Sequence, residues 1–400
     1  MNDTSIQYGE VLKEFHLNLG RLTAISLHAA LTMNIKRRLP SLLITILISI
    51  FVVLSIQIPS NSSDSCGSGS QRNKYKWPFS CDSIWNMPIG SQAQYDPANI
   101  SKAKRINPEI NYFIVTSKHD PRVPWHVTQN WGVGRCESGG AHLGDIHVPR
   151  DLVVPDATST STPNKAAAFL HPDGHTLIQM NPLARCQAGG SVFGYPTPGE
   201  IDSYEDIYGK GITGGQGGSG LSSIGGTIRL SELLPSAPPI RHALKLLIHA
   251  HKYLYKEPPG YRWPAVRADS YAFDDASSDK YGGSNPALVM GSLLAIPPSV
   301  SEDSLGLETV PGKKLFHALQ DYGGYIVDDT AWDAHAIAVE KGVEEEFRGT
   351  YGYDFGDTSE PFYEDANKLF QALYVVNNNG PNSIGGGGKL RQPLAPPIGN

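Results

Sequence analysis

Apolar residues in this chain come in short runs broken by turn residues, with one exception near the amino terminus. Residues 39–58, LPSLLITILISIFVVLSIQI, carry no charge and follow Lys36-Arg37-Arg38. A basic stretch before such a run marks a secretory signal or a signal anchor, and the length is near the ~20 residues that span a bilayer. With the positive charges inside, everything after residue 60 faces outward. A start at Met33 gives a conventional short basic region, so residues 1–32 read as a mis-assigned start or a cytoplasmic leader. Within them, residues 7–30 have the pattern of one amphipathic helix. Residues 33–59 read as a signal peptide or transmembrane anchor, and 60–76, rich in Ser, Asn and Gly, as a linker.

From residue 77 the pattern is that of short strands. Residues 110–116, 125–129 and 146–154 are candidates. Phe169-Leu170-His171, Pro172-Asp173-Gly174 and His175 to Met180 predict a β-hairpin across a Gly-containing turn. Residues 244–255, LKLLIHAHKYLY, fit either helix or strand, and strict alternation favours a strand. His249, His251, Tyr253 and Tyr255 then share one face. Residues 266–273 alternate as well, with Arg267, Asp269, Tyr271 and Phe273 on one side. Pro258-Pro259-Gly260 would join these two strands into a hairpin. Residues 313–321 and 361–374 predict helices, the first ended by Gly323-Gly324. Residues 377–400, with four consecutive glycines, read as a tail or a surface wrap.

Composition refines this picture in three places. The 42 Gly and 30 Pro among 400 residues favour a mainly β fold, an antiparallel β-sandwich or jelly roll over residues 77–376 with a few peripheral helices. A net charge of −6 gives no electrostatic case for nucleic acid. Cys66, Cys81, Cys136 and Cys186 allow three pairings in an exported chain; Cys66–Cys81 with Cys136–Cys186 is favoured, and the spacing lacks the CxxC of a zinc site.

The stretch from 211 to 244 is the most unusual. GITGGQGGSGLSSIGGTIRL demands backbone freedom or close backbone approach, yet no Gly-Lys-Ser/Thr follows and no GxGxxG opens a helix, so it is not a phosphate cradle. A surface loop and the wall of a binding cleft fit it equally. Three groups of residues can carry chemistry. The first is the row His249, His251, Tyr253 with Arg267 and Asp269, where a histidine titrates near neutral pH and Arg267 offers a fork to a sugar carboxylate. Arg229, His242, Trp263, Tyr271 and Asp329 are expected to line the same cleft. Two histidines two apart on a strand, with Asp269, are also a possible metal set. The second group is Asp328 and Asp329, which point to opposite faces of a strand, so either would pair with Asp269 or Glu232 rather than with each other. The third is His142, Asp145 and His147 after Gly139-Gly140. Asp274, Asp275 and Asp279 lack the Gly and distal Glu of a calcium loop, and no GxSxG elbow is present.

The order Ile84-Trp85-Asn86-Met87-Pro88-Ile89, Gly226-Thr227-Ile228-Arg229, Ile240-Arg241-His242-Ala243-Leu244, Trp263-Pro264-Ala265, Ala318-Leu319-Gln320-Asp321-Tyr322-Gly323 and Tyr325-Ile326-Val327-Asp328-Asp329 resembles a group of secreted bacterial β-rich proteins of uncharacterised activity. The resemblance covers residues 77 to 335 and implies export and a single β-rich domain. It implies no activity, and the region after Asp329 departs from it, so it lends nothing to Trp332, Asp333 or His335. The expectation for function is therefore an exported, surface or secreted protein acting on extracellular polysaccharide, as lyase or hydrolase. The other class is a non-catalytic glycan-binding or envelope protein. No cofactor is indicated; the expected partners are a polysaccharide and, through residues 33–59, the membrane.

Overall fold

Central strands buried on both faces are mostly apolar runs rather than alternating ones, and Leu244–Ile248, Gly324–Asp329 and Ala334–Glu340 form such strands in the middle of the sheet. A computed structural model describes residues 66–128, 134–136, 140–154, 164–196 and 204–399; the apolar run at 39–58 and its flanks lie outside the described residues. The strands are β1 (Tyr95–Pro97), β2 (Arg105–Val115), β3 (Arg122–His126), β4 (His142–His147), β5 (Ala167–Leu170), β6 (Thr176–Ala184) and β7 (Val192–Pro196). After these come β8 (Glu205–Asp206), β9 (Leu244–Ile248), β10 (Leu293–Ala295), β11 (Gly324–Asp329), β12 (Ala334–Glu340) and β13 (Tyr374–Val376). The helices are α1 (Ala250–Tyr253), α2 (Glu302–Leu305), α3 (Val310–Asp321), α4 (Val343–Tyr351) and α5 (Pro361–Gln371).

Hydrogen bonding orders the sheet β1-β13-β10-β11-β9-β12-β2-β5-β6-β7-β3-β4, with β8 attached to β6. The fold is mainly β, as the sequence predicts. The strands are not uniformly antiparallel, however: β9 with β11, β2 with β12, β2 with β5 and β3 with β7 run parallel. A parallel pair needs a long crossover, and residues 249–323 supply it between β9 and β11. Strand β2 joins two halves of the sheet. Its first part, Arg105 to Asn111, pairs with β12, and its last part, Tyr112 to Val115, pairs with β5.

Strand β9 shows how the layers form. Leu244, Leu246 and Ile248 pack in one core with Leu315 and Phe316 of α3 and Phe362 and Phe370 of α5. Leu247 faces a second core with Trp85, Tyr325, Val327 and Ile224. The predicted strand from 244 to 255 therefore ends at Ile248. His249 caps the single turn α1, because Ala250 N–H is taken by the Asp329 carboxylate, 2.7 Å away, instead of by a neighbouring strand. Residues 266–273 form turns and pair with no strand, so the predicted hairpin of these two segments is absent. The alternation there records a single turn of helix followed by irregular loop.

The strand expected at 146–154 ends at His147, after which the chain turns, but several other expectations hold. The hairpin forms as β5 and β6, with Gly174 at φ +76° and Asp173 accepting from His175 N–H at 2.8 Å and Thr176 N–H at 2.9 Å. Helix α3 starts at a Thr309 cap with Pro311 in its first turn. Both favoured disulfides, Cys66–Cys81 and Cys136–Cys186, are present, in keeping with an oxidising, extracytoplasmic location. Among the described residues no helix is long and apolar enough to cross a membrane.

The carboxyl-terminal segment is a wrap over the start of the domain. Gly67 N–H donates to Ala395 O at 3.1 Å, Arg72 N–H to Pro397 O at 3.0 Å and Gly399 N–H to Arg72 O at 3.0 Å. The buried Arg72 guanidinium fills its donors with carbonyls from both sides, those of Pro396 at 2.6 Å and Pro78 at 3.0 Å among them, together with Trp77 and Phe79. Residues 66–79 and 394–399 thus hold each other. Removing residues 390–400 is expected to speed amide hydrogen exchange across 66–79 while leaving β9 and β11 protected. Unchanged exchange in 66–79 would show that the wrap does not hold this segment.

Candidate functional site

The glycine-rich stretch is largely a buried loop rather than a surface one. Most of residues 214–229 are buried, lying on the Trp85 side of β9 and β11. Gly226 has φ +71°, and a side chain there would come within 2.5 Å of the Trp85 ring. Further back, Gly214 N–H bonds Gly220 O at 2.9 Å and Ser219 N–H bonds Val327 O at 3.1 Å. These bonds close a tight loop over the end of β11 and lay Gly217 and Gly218 on a group of carboxylates. A Cβ on Gly218 would stand 3.1 Å from Asp269 Oδ2 and also 3.1 Å from Asp328 Oδ1. The two oxygens are therefore no more than twice that distance apart. Only glycine lets the backbone come so close to both.

Each carboxylate has a different set of partners. Asp328, 4% exposed, accepts from Gln216 Nε2 at 3.2 Å and from Asp329 N–H at 3.0 Å. Asp329 accepts from Ala250 N–H at 2.7 Å, Ala331 N–H at 2.8 Å and the Tyr271 hydroxyl at 3.1 Å. Asp269, half-buried, accepts from the Tyr281 hydroxyl at 2.7 Å. Three donors on Asp329, two of them backbone, favour its anion and hold back the rise that burial gives it. Asp269 and Asp328 have fewer donors and each other's charge, the arrangement in which two carboxyls share a proton.

The electrostatics follow from burial first and then from like charge. Burial and the neighbouring Asp329 push Asp269 up to about 6. Burial, Asp269 and Glu109 raise Asp328 well above the carboxylate range. Burial and the surrounding carboxylates also raise Tyr271 and Tyr281, so both stay neutral hydroxyl donors. Beneath the loop lies Lys245, the one charge in the apolar run of β9. Burial draws it well below the lysine range, while Glu109 and Asp328 oppose that fall. Its Nζ meets only acceptors: Gln216 Oε1 at 3.1 Å, Ser222 O at 3.2 Å and Ser223 O at 2.8 Å. Three acceptors match the three protons of an ammonium, and we assign Lys245 that form. By taking the Gln216 oxygen it fixes which end of the amide points at Asp328.

The residues expected from sequence divide into those in this cluster and those outside it. Asp269, Tyr271 and Asp329 are brought together. His249 stands half-buried at the head of α1, its ring 6.0 Å from that of His251, and its charge acts on Asp329. His251 is exposed and bonds Lys280 O at 2.8 Å; Arg267 is exposed, and its charge opposes the rise of Asp269. Tyr253 turns away, its hydroxyl 2.8 Å from Ser101 Oγ, because helix spacing replaces strand alternation. Arg229 and His242 belong to a separate buried network. Arg229 donates to Tyr75 O at 2.7 Å and pairs with Glu340 at 3.3 Å. His242 faces Ala243 O at 2.9 Å and Glu232 at 3.1 Å; burial lowers its pKa but Glu232 more than offsets this, for a net rise. Glu232 is thereby committed to His242, and it is Asp269 that meets Asp328. Trp263 lines a different hollow.

His142 with Asp145, 3.0 Å apart, and His147 on Asp120 O at 2.8 Å sit on β4 without joining the cluster. In the 274–279 segment Asp275 pairs with Lys280 at 2.8 Å. Among the described residues no three His, Cys, Asp or Glu side chains share metal-ligating geometry. Sequence reasoning missed Gln216, Tyr281 and Lys245. Only Lys245 left a signal, as a lone cation in LKLLI. Comparison with protein-family models, with curated proteins and with solved structures found no match.

The cluster makes a signed prediction for stability. Asp269 has a folded pKa of about 6 against an ordinary 3.8, so the folded state holds the extra proton. Its contribution is fully present below about pH 4 and is lost as pH rises through about 6. Asp269→Asn removes that loss, so its Tm relative to the unaltered protein should climb between pH 4 and pH 7. A difference independent of pH over that range would show that Asp269 titrates normally.

Proposed function

We propose that this chain is an exported carbohydrate-active hydrolase, with Asp269 and Asp328 as its acid and carboxylate pair. The observation that carries the reading is that pair, held close across the Gly218 backbone in surroundings that favour one shared proton. Glycosidic hydrolysis requires two carboxyl groups, one protonated, flanking the bond. Both carboxyls are held above the usual range and share one proton; Asp269, nearer the surface, passes it on as the proton donor, and Asp328, which accepts from the N–H groups of Gln216 and Asp329 above the Lys245 ammonium, is left as the carboxylate. Proton transfer from Asp269 to the glycosidic oxygen accompanies rupture of its bond to the anomeric carbon. Asp328 attacks that carbon to form a glycosyl ester. Asp269, now ionised, takes a proton from water, whose oxygen attacks the same carbon and releases Asp328.

The two oxygens, no more than twice 3.1 Å apart, fall short of the ~6.5–9.5 Å of single-displacement enzymes, which favours the double displacement, for which about 5–5.5 Å is usual. A lyase acting on a uronate fits less well. Its substrate carboxylate would meet Asp269, Asp328 and Asp329, against the exposed Arg267 and the buried Lys245, which already spends its three protons on Gln216, Ser222 and Ser223. A neutral glycan meets no such repulsion. The disulfides and the apolar run at 39–58 support delivery to the outside of the cell, as a tethered or a released protein.

Purified protein incubated with neutral polysaccharides should release reducing ends. Asp269→Asn and Asp328→Asn, each still folded, should lower kcat/KM by roughly 10²–10⁴-fold, the usual worth of a positioned acid or base. Activity should fall as pH rises through about 6, as Asp269 loses its proton. NMR of the first product should show a retained anomer. Unsaturated products absorbing in the near ultraviolet would replace hydrolysis with elimination, and binding without turnover would sink the enzymatic reading.

A further inference from the structure

We infer that the hollow beside Trp263 is a binding subsite for a sugar ring of a neutral glycan; this rests on the glycan reading above but not on catalysis. The hollow encloses about 360 Å³. Its walls are Ile84, Met87, Ile212, Trp263 and Ile384, with the Asp82–Lys210 ion pair and Asn382 at the rim. Ile84 is buried, while Met87, Ile212, Trp263 and Ile384 are all partly open to solvent. An indole and three aliphatic side chains left half-covered, ringed by an ammonium, a carboxylate and an amide, form an amphipathic recess. A pyranose has the matching character, an apolar face of C–H groups and a perimeter of hydroxyls that both donate and accept. Ligand recesses generally combine such apolar walls with a few placed polar groups.

Its position ties it to the carboxylate pair. Ile212 lies six residues before Gly218 on the same glycine-rich loop, so at ~3.3–3.6 Å per residue the two are within about 20 Å. Trp263 lies three residues before Val266, whose N–H donates to Ser219 O at 3.0 Å. One loop therefore borders both the recess and the acid pair. A second, more polar hollow of about 670 Å³, with Asp96, Asn99, Asn285 and Asn377 in its walls, adjoins the same region. Arg262, next to Trp263, donates to Asn377 O at 2.7 Å there. The two hollows both border segment 377–384, as a chain of several sugars would require.

The test is an array of neutral oligosaccharides, then calorimetry with the best binder, using the full chain. Binding should survive Asp269→Asn, weaken at least about tenfold in Trp263→Ala, and be largely kept in Trp263→Phe, which retains an apolar ring. Exposed Lys210→Ala and Asn382→Ala, which leave the core untouched, should each weaken it about three- to tenfold if Trp263→Ala does not fold. Binding without hydrolysis that is lost in these variants would uphold the subsite while overturning the catalytic reading. No binding on the array, or affinity within twofold of the unaltered protein in the folded Trp263 and rim variants, would overturn the subsite.

Discussion

A buried polar group must find a partner, and in this molecule that requirement is concentrated where the glycine-rich loop lies on β9 and β11. Lys245 enters the core from the middle of an apolar strand, and its ammonium would be untenable without acceptors. The loop provides them as Gln216 Oε1 and the carbonyls of Ser222 and Ser223. To bring those carbonyls down onto β9, the chain must pass close to Trp85 at one end and to Asp328 at the other. Glycine at Gly226 and Gly218 makes both approaches possible. The same few bonds therefore orient Gln216, and through it Asp328.

From this constraint the chemistry follows in steps. Gln216 spends its oxygen on Lys245 and has only its N–H left for Asp328. Asp329 is occupied by the head of α1 and the turn at Ala331, so it serves as an anchor. Asp269 arrives on an irregular segment, held by Tyr281, and faces the carboxylate that is already fixed. What distinguishes Asp269 and Asp328 from ordinary loop-capping aspartates is that burial and mutual charge leave one proton between them, one too many for two anions and one too few for two acids.

Legibility in the sequence divided along physical lines. Local signals were sound: the Pro172-Asp173-Gly174 hairpin, the Thr309–Pro311 helix start and the disulfide pairing each depend on residues close in sequence or on a small number of options. Alternation misled at residues 249–255 and 266–273, because a four-residue helix and a run of turns can mimic period two over so short a length. Asp269, Tyr271 and Asp329 do come together, but the strand pairing that grouped the first two does not form, and an irregular loop brings them to the end of β11 instead. Tyr281 and Gln216 were invisible, since nothing in the local pattern separates a tyrosine or glutamine that touches a carboxylate from one that does not. The surplus of glycine announced a close approach without saying what was approached.

The most direct test of the central claim is a carbon-13 NMR titration of the aspartate carboxyls, with Asp269→Asn and Asp328→Asn used to assign the signals. Two coupled steps are expected, one near or above about 6, and loss of either residue should return the other toward the ordinary range. If both carboxyls titrate independently near the usual ~3.9 of an aspartate, they share no proton, and the pair is not the acid and carboxylate proposed.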